Sequence, residues 1–356
     1  MKIIKYINKI LPLVKKRSDL TKFRNILVVS NTGLGDTVLG TPAMKTLRKS
    51  FPELNITFLV NKKMFPLFSD YNFIDDYLLY ESGFFNQIKL VNKLRKKKID
   101  TIFLFHSNGP EDIFFSILSG ANNILKMTDK SKHEYEEIFL NKISNEKKHI
   151  IERKIDLVRV FNPKIIDKKM SLPSKFKNKK NIIFKNGEYK FIGLQLGAQD
   201  RYKVWPTEKF VQLANKMLKD NNIKIILFGA SKPEEKMALE VVSKVSRKSS
   251  IINMCGKSAI DDLPGLVNGL DLLITNDTGL MHISIASDVP TISLFGPTDS
   301  TVFGPYQNLS IHTVIQKDGF FVNNVPKKKR TQEGIDLISV DEVYKEYLAK
   351  RKVNEY

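Results

Sequence analysis

The sequence predicts an α/β protein of two Rossmann-like, doubly wound parallel-sheet domains facing across a cleft. Three observations carry that expectation. Short β-branched and aromatic runs alternate with amphipathic helical stretches, the pattern of βαβ units. The alternation comes in two series, separated by a stretch at 163–189 where no sheet-forming pattern is sustained. A chain of 356 residues is also long enough for two domains with cores of their own.

Residues 1–22 read as an N-terminal extension. In a helical projection of residues 1–17, Ile3, Ile7, Ile10, Leu11 and Val14 gather on one side, with Lys2, Lys5, Lys9 and Lys16 opposite. Two readings stay open: an interfacial helix on an anionic membrane, or a helix packed on the N-terminal domain. Pro12 predicts a kink. Lys5 and Lys9 break the apolar run, which argues against a signal peptide.

The N-terminal domain, 23–162, opens with a strand at 26–29. A glycine turn, Gly33-Leu34-Gly35-Asp36, then leads into one helix running to about Lys49. Strands follow at 57–60, 77–80 and 101–105, with a helix at 84–97 between the last two, and a helix at 149–161 closes the series. The C-terminal domain, 190–338, has strands at 191–196, 223–228, 251–254, 272–276 and 291–295. Its helices start after Thr207, expected as an N-cap, after Ser231, and at about 258. The last helix, in 339–356, has Ser339 at the N-cap and Glu342 at the capping-box position. Right-handed crossovers gather the loops after the strands on one edge of each sheet, where the cleft is expected.

Composition narrows the partners. Lys and Arg number 58 against 38 Asp and Glu, a net charge of +20, which favours an anionic partner. The lysines are scattered, and no RNP-like signature, zinc finger or helix-turn-helix stands out, so nucleic acid is disfavoured. One cysteine and five histidines without metal-binding spacing give no case for a metal centre, and point to a reducing, cytoplasmic compartment.

The motifs lie at strand–helix turns. Gly33-x-Gly35 is half of a dinucleotide fingerprint; Val38 stands where its third glycine would be, which weakens an oxidoreductase reading. Asp36 at the helix start is either charge compensation for the helix or a base facing the cleft. Arg201 and Lys203 precede a helix N-terminus, a place to meet phosphate. Glu234 completes a capping box with Ser231, whereas Glu235 has no such structural duty, and either can accept from ribose hydroxyls. Asp277-Thr278-Gly279 ends the 272–276 strand and is either an ordinary capped turn or a diphosphate cradle. His282 in the helix that follows is either a core histidine or a ligand.

Five segments resemble the bacterial ADP-heptose:lipopolysaccharide heptosyltransferases, inverting glycosyltransferases of the GT-B fold (glycosyltransferase family 9). They are NILVVSNTGLGDTVLGTPAMKTLRKSFP at 25–52, HIIERKIDLVRVF at 149–161, LGAQDRYKVWPTEKFVQLA at 196–214, NDTGLMHISIASDVPTISLFGPT at 276–298 and ISVDEVYKEYLAK at 338–350. The cysteines often found before the closing helix of that family are missing here. The resemblance implies metal-independent transfer of a sugar, as ADP-heptose, to a lipid-linked anionic glycan at the inner membrane face. It implies Asp36 as general base. It implies donor binding by Gln199, Lys203, Glu234 or Glu235, the Met254 loop, Asp277, Thr278, Gly279 and His282. No cofactor beyond the nucleotide-sugar substrate is implied. The alternatives are the same fold with another nucleotide sugar, or a silent sugar-nucleotide-binding protein.

Overall fold

The computed structural model describes residues 19–106, 110–127, 148–177, 179, 184, 188–317 and 330–353. The expected amphipathic stretch 1–17, the loop at 107–109 and most of the basic cluster at 327–330 lie outside them. The chain divides between Ser174 and Lys175 into two compact units.

The first unit has five parallel strands: β1 (Asn25–Ser30), β2 (Asn55–Asn61), β3 (Asp76–Tyr80), β4 (Thr101–His106) and β5 (Asn123–Lys126). They lie in the order β3-β2-β1-β4-β5, so the strand order reverses between β1 and β4. Both sheet faces are covered, so β1 is buried continuously from Ile26 to Ser30. Leu27 and Val29 face a core shared with Leu90 and Leu94 of a helix at Phe84–Lys96 and Phe115 of another at Pro110–Ser119.

The helix expected from Asp36 to Lys49 is two: α1 (Leu34–Val38) and α2 (Thr41–Ser50), separated at Gly40. Pro42 explains the break. It lacks an N–H and fits only the first turn of a new helix. α2 packs against α3 (Ile150–Arg159). Residues 165–171, expected as linker, are stitched to the first unit. Asp167 N donates to Thr46 Oγ1 at 3.0 Å, and Tyr71 OH donates to Ser171 O at 2.9 Å.

The second unit has six parallel strands: β6 (Lys190–Gln195), β7 (Ile223–Phe228), β8 (Ile251–Asn253), β9 (Leu272–Asn276), β10 (Thr291–Phe295) and β11 (His312–Gln316). Their order is β11-β10-β9-β6-β7-β8, which reverses between β6 and β9. Its helices include α4 (Thr207–Met217), α5 (Lys232–Lys244), α6 (Gly279–Ala286) and α7 (Val340–Val353). Trp205, Phe210, Ile274, Leu294, Val343 and Tyr347 share its main core, so the closing helix α7 belongs to this unit. Thr207 is the first helical residue of α4 rather than its cap. Pro206 holds the N-cap place, and its carbonyl takes Lys209 N at 3.0 Å. The capping boxes at Ser231/Glu234 and Ser339/Glu342 form as the spacing predicts. Among the described residues no helix is long and apolar enough to cross a membrane.

Candidate active site

Asp36 after β1, and Lys203 and Asp277 after β6 and β9, sit where the strand order of their unit reverses, the usual ligand position in open α/β sheets. Glu234, Glu235 and Met254 follow β7 and β8 further along the second sheet. In the second unit the reversal point is built around Asn276, the fully buried last residue of β9. Its amide donates to the carbonyls of Gln195 and Leu196 at 3.2 Å and of Gly197 at 3.3 Å. Its own oxygen receives Trp205 N at 3.1 Å. One side chain thus holds both ends of the loop after β6. Trp205 closes the loop from inside: its indole N–H donates to Ile338 O at 3.0 Å.

This brings Lys203 over the turn after β9. Lys203 Nζ lies 2.6 Å from Asp277 Oδ2, and Thr298 Oγ1, from the turn after β10, donates to the same oxygen at 2.7 Å. Three loops therefore meet on one carboxylate. Thr278 occupies the N-cap position of α6 but makes no side-chain cap bond; its hydroxyl lies 3.3 Å from Thr275 Oγ1. The capped-turn reading is thus filled in position and not in chemistry. The first-turn N–H groups of α6 and the lysine share one edge, an arrangement suited to an anion.

The two glutamates differ. Glu234 Oε2 accepts from Ala230 N at 2.9 Å and Ser231 N at 2.7 Å, and its Oε1 accepts from Gln195 Nε2 at 3.2 Å. It also fills the space beside Gly197, where an added Cβ would come within 2.4 Å of Oε1. Glu235 is held by the exposed Lys232 at 2.8 Å and borders Gly256 in the turn after β8. Met254 begins that turn half-buried, and Cys255 is buried beside both glutamates. Burial first, then the Glu234 and Glu235 charges, push the Cys255 thiol up to about 12, so it is no nucleophile. Gln199 is exposed on the loop after β6 and Gly279 is half-buried, while His282 is only 4% exposed within α6.

In the first unit Asp36 lies in α1, just past the end of β1. Gly33 has ordinary extended backbone, φ −86° and ψ 168°, and a Cβ there would meet Asp36 Oδ2 at an ordinary contact distance of 3.7 Å, so neither conformation nor space demands glycine at this position. Gly35 lies within α1. Asp36 Oδ2 accepts from Thr32 Oγ1 at 3.1 Å and lies 3.3 Å from His106 Nε2. A β-bulge re-aims His106: Val29 pairs with Leu104, but Ser30 pairs with His106, leaving Phe105 as the extra residue. The fully buried Lys154 of α3 donates from Nζ to Asp36 O at 2.7 Å. Burial pushes this lysine down to about 8, against the opposing pull of Asp36.

Sequence reasoning missed His106, Lys154, Asn276 and Thr298. His106 ends a recognised strand and Asn276 ends another, so strand-end polar residues were the available signal for those two. Nothing local marks Lys154, which reads as one more lysine on an amphipathic helix.

Comparison with known proteins gives the family and the fold class. The profile of glycosyltransferase family 9 (heptosyltransferase) matches residues 114–328. Lipooligosaccharide heptosyltransferase 2 of Campylobacter jejuni is 30% identical over 281 residues, covering 78% of this chain and 82% of that protein. Among solved structures, a family 9 glycosyl transferase of Veillonella parvula aligns with TM-score 0.76 at 21% identity, over 95% of this chain and 98% of that one. The ADP-heptose lipopolysaccharide heptosyltransferase II of Escherichia coli aligns with TM-score 0.74 at 20% identity, over 93% and 100%. The two-sheet α/β architecture is that of the GT-B class. With a matched profile over more than half its length and a curated relative over most of it, this chain belongs to glycosyltransferase family 9, the heptosyltransferases, and is a glycosyltransferase.

Proposed function

We propose that the protein transfers a heptose from ADP-heptose to a lipopolysaccharide-core-type, lipid-linked anionic acceptor, with inversion at the anomeric carbon. The observation that carries this reading is the anion-ready edge of the second unit: Lys203, the Asp277 carboxylate and the first turn of α6, joined at the strand-order reversal. The donors named for the Escherichia coli relative and the family description supply the sugar class. Gln199, Thr278, Gly279 and His282 line or support that edge, and Met254 borders the nucleotide base. Glu235 takes the ribose, because Glu234 is already engaged on both carboxylate oxygens.

The chemistry follows from these groups. An acceptor hydroxyl attacks the anomeric carbon from the face opposite the diphosphate. A carbon–oxygen bond forms as the bond to phosphate breaks. Asp36 takes the hydroxyl proton, and ADP leaves with the bonding pair. Thr32 and His106 both meet Asp36 on Oδ2, which orients Oδ1 as the accepting lone pair. Lys203 and the α6 N–H groups stabilise the charge growing on the leaving phosphate. On this reading the reaction runs on the cytoplasmic side of a membrane, which the low cysteine content supports. Asp36→Asn should lower turnover roughly 100-fold or more with donor affinity kept. ADP release from ADP-heptose and acceptor measures this, and near-normal turnover in the variant would remove Asp36 as base.

A further inference from the structure

We propose that the exposed face of the helix Phe84–Lys96 is a docking surface for an anionic phospholipid bilayer. This helix follows β3 in the first unit and starts on the same sheet edge as the Asp36 turn. Its inward face is conventional: Gln87, Leu90, Val91 and Leu94 are buried. Its outward stripe is Phe85, Ile88, Lys89, Asn92, Lys93 and Lys96, all exposed and spaced to share one helix face. Phe85 is 81% exposed, more than any other large apolar side chain among the described residues, and Ile88 is 37% exposed. Phe84 props it up, edge-on to Phe85 at 5.9 Å and resting against Phe114 at 6.3 Å.

The charge on this helix has one sign. It carries Lys89, Lys93, Arg95 and Lys96 and no Asp or Glu. The nearby carboxylates are occupied: Glu81 is paired with Lys62 at 2.5 Å and flanked by Lys89 and Lys93, and Glu111 accepts from Tyr80 OH at 2.6 Å. Apolar side chains at one end of a stripe and cations along the rest match an interfacial helix, with Phe85 and Ile88 entering the acyl boundary and the lysines meeting phosphates. A second copy of the chain is a poorer occupant, because a two-fold contact would set these lysines against their own counterparts. The inference does not depend on the identity of the sugar donor.

The test is flotation of the full chain with vesicles of phosphatidylethanolamine and phosphatidylglycerol, and with neutral phosphatidylcholine vesicles. The parent should partition to the anionic vesicles. Phe85→Ser/Ile88→Ser and Lys89→Glu/Lys93→Glu should each lower that partition roughly tenfold or more. These side chains are exposed, so an unchanged thermal midpoint certifies folding of each variant. Binding equal to the parent in both variants would overturn the proposal and leave the membrane contact to another part of the chain. Undiminished binding with a shift from dimer to monomer in sedimentation would overturn it too, by making the face a self-association surface.

Discussion

Lys154 shows how much one buried residue can hold. It has no exposed surface, anchors the carbonyl of Asp36, and titrates near 8 rather than its ordinary 10.5. The folded-state value is the lower one, so the unfolded chain binds this proton more tightly. Below about pH 8 both states are charged and folding carries the full burial penalty. From about pH 8 to 10.5 this residue makes stability rise with pH, by on the order of 3 kcal/mol in total, and above that window it adds no slope. Lys154→Met should therefore lose ground to the parent as pH rises through that window in urea titrations; parallel profiles would contradict the assignment. This link was illegible in the sequence, because lysine and aspartate are 118 residues apart and are joined only by the packing of α2 on α3. Asp36 itself was legible, since it follows a strand and a glycine turn.

Elements explain why neighbouring residues of one chemistry take different work. Glu234 and Glu235 are both in the first turn of α5, yet the roughly 100° of helix between adjacent residues sends one into the cap and the other to the open edge. Glu234→Ala should cost about 1–2 kcal/mol of stability by removing the capping box and orphaning Gln195. Glu235→Ala should leave stability within about 0.5 kcal/mol and instead raise the donor KM. Denaturant titration beside donor kinetics separates the two, and a reversed pattern would exchange their roles. Trp205 ties the loop after β6 to the start of α7, with its ring fully buried and its N–H on Ile338 O. Trp205→Phe should cost about 2–4 kcal/mol through the cavity and the lost hydrogen bond, and loosen Lys203 as well. A variant as stable as the parent would show that the loop is held without it. The spacing of Ser231 and Glu234 announced the cap. Pro42 marked the helix break at Gly40 locally, whereas the bulge at Phe105 went unseen because an inserted strand residue leaves no periodic trace.

At the scale of the whole molecule, two units with separate cores set the pattern of ligand response. The proposed donor groups all belong to the second unit, so on that proposal saturating ADP should raise its unfolding transition and leave that of the first in place. At a hundred-fold excess over Kd the gain is about 2.7 kcal/mol, roughly 5–10 °C for a unit of this size. Differential scanning calorimetry reads this directly; no shift, or a shift confined to the first unit, would refute the donor assignment, and Lys203→Ala should shrink it. The amino-acid sequence by itself determined the fold class, the two series of βα units, the family, and the Asp36 and Asp277 turns. Hydrophobic periodicity, caps and turn glycines act over a few residues, so they are written locally. Only the tertiary structure decided that Asn276 clasps the loop after β6, that Lys203 and Thr298 share Asp277, and that His106 and Lys154 attend Asp36. Lys203 and Asp277 are 74 residues apart in the chain. They meet because β9 crosses over to lie beside β6, and a crossover places residues in space without leaving a mark on either one's local sequence.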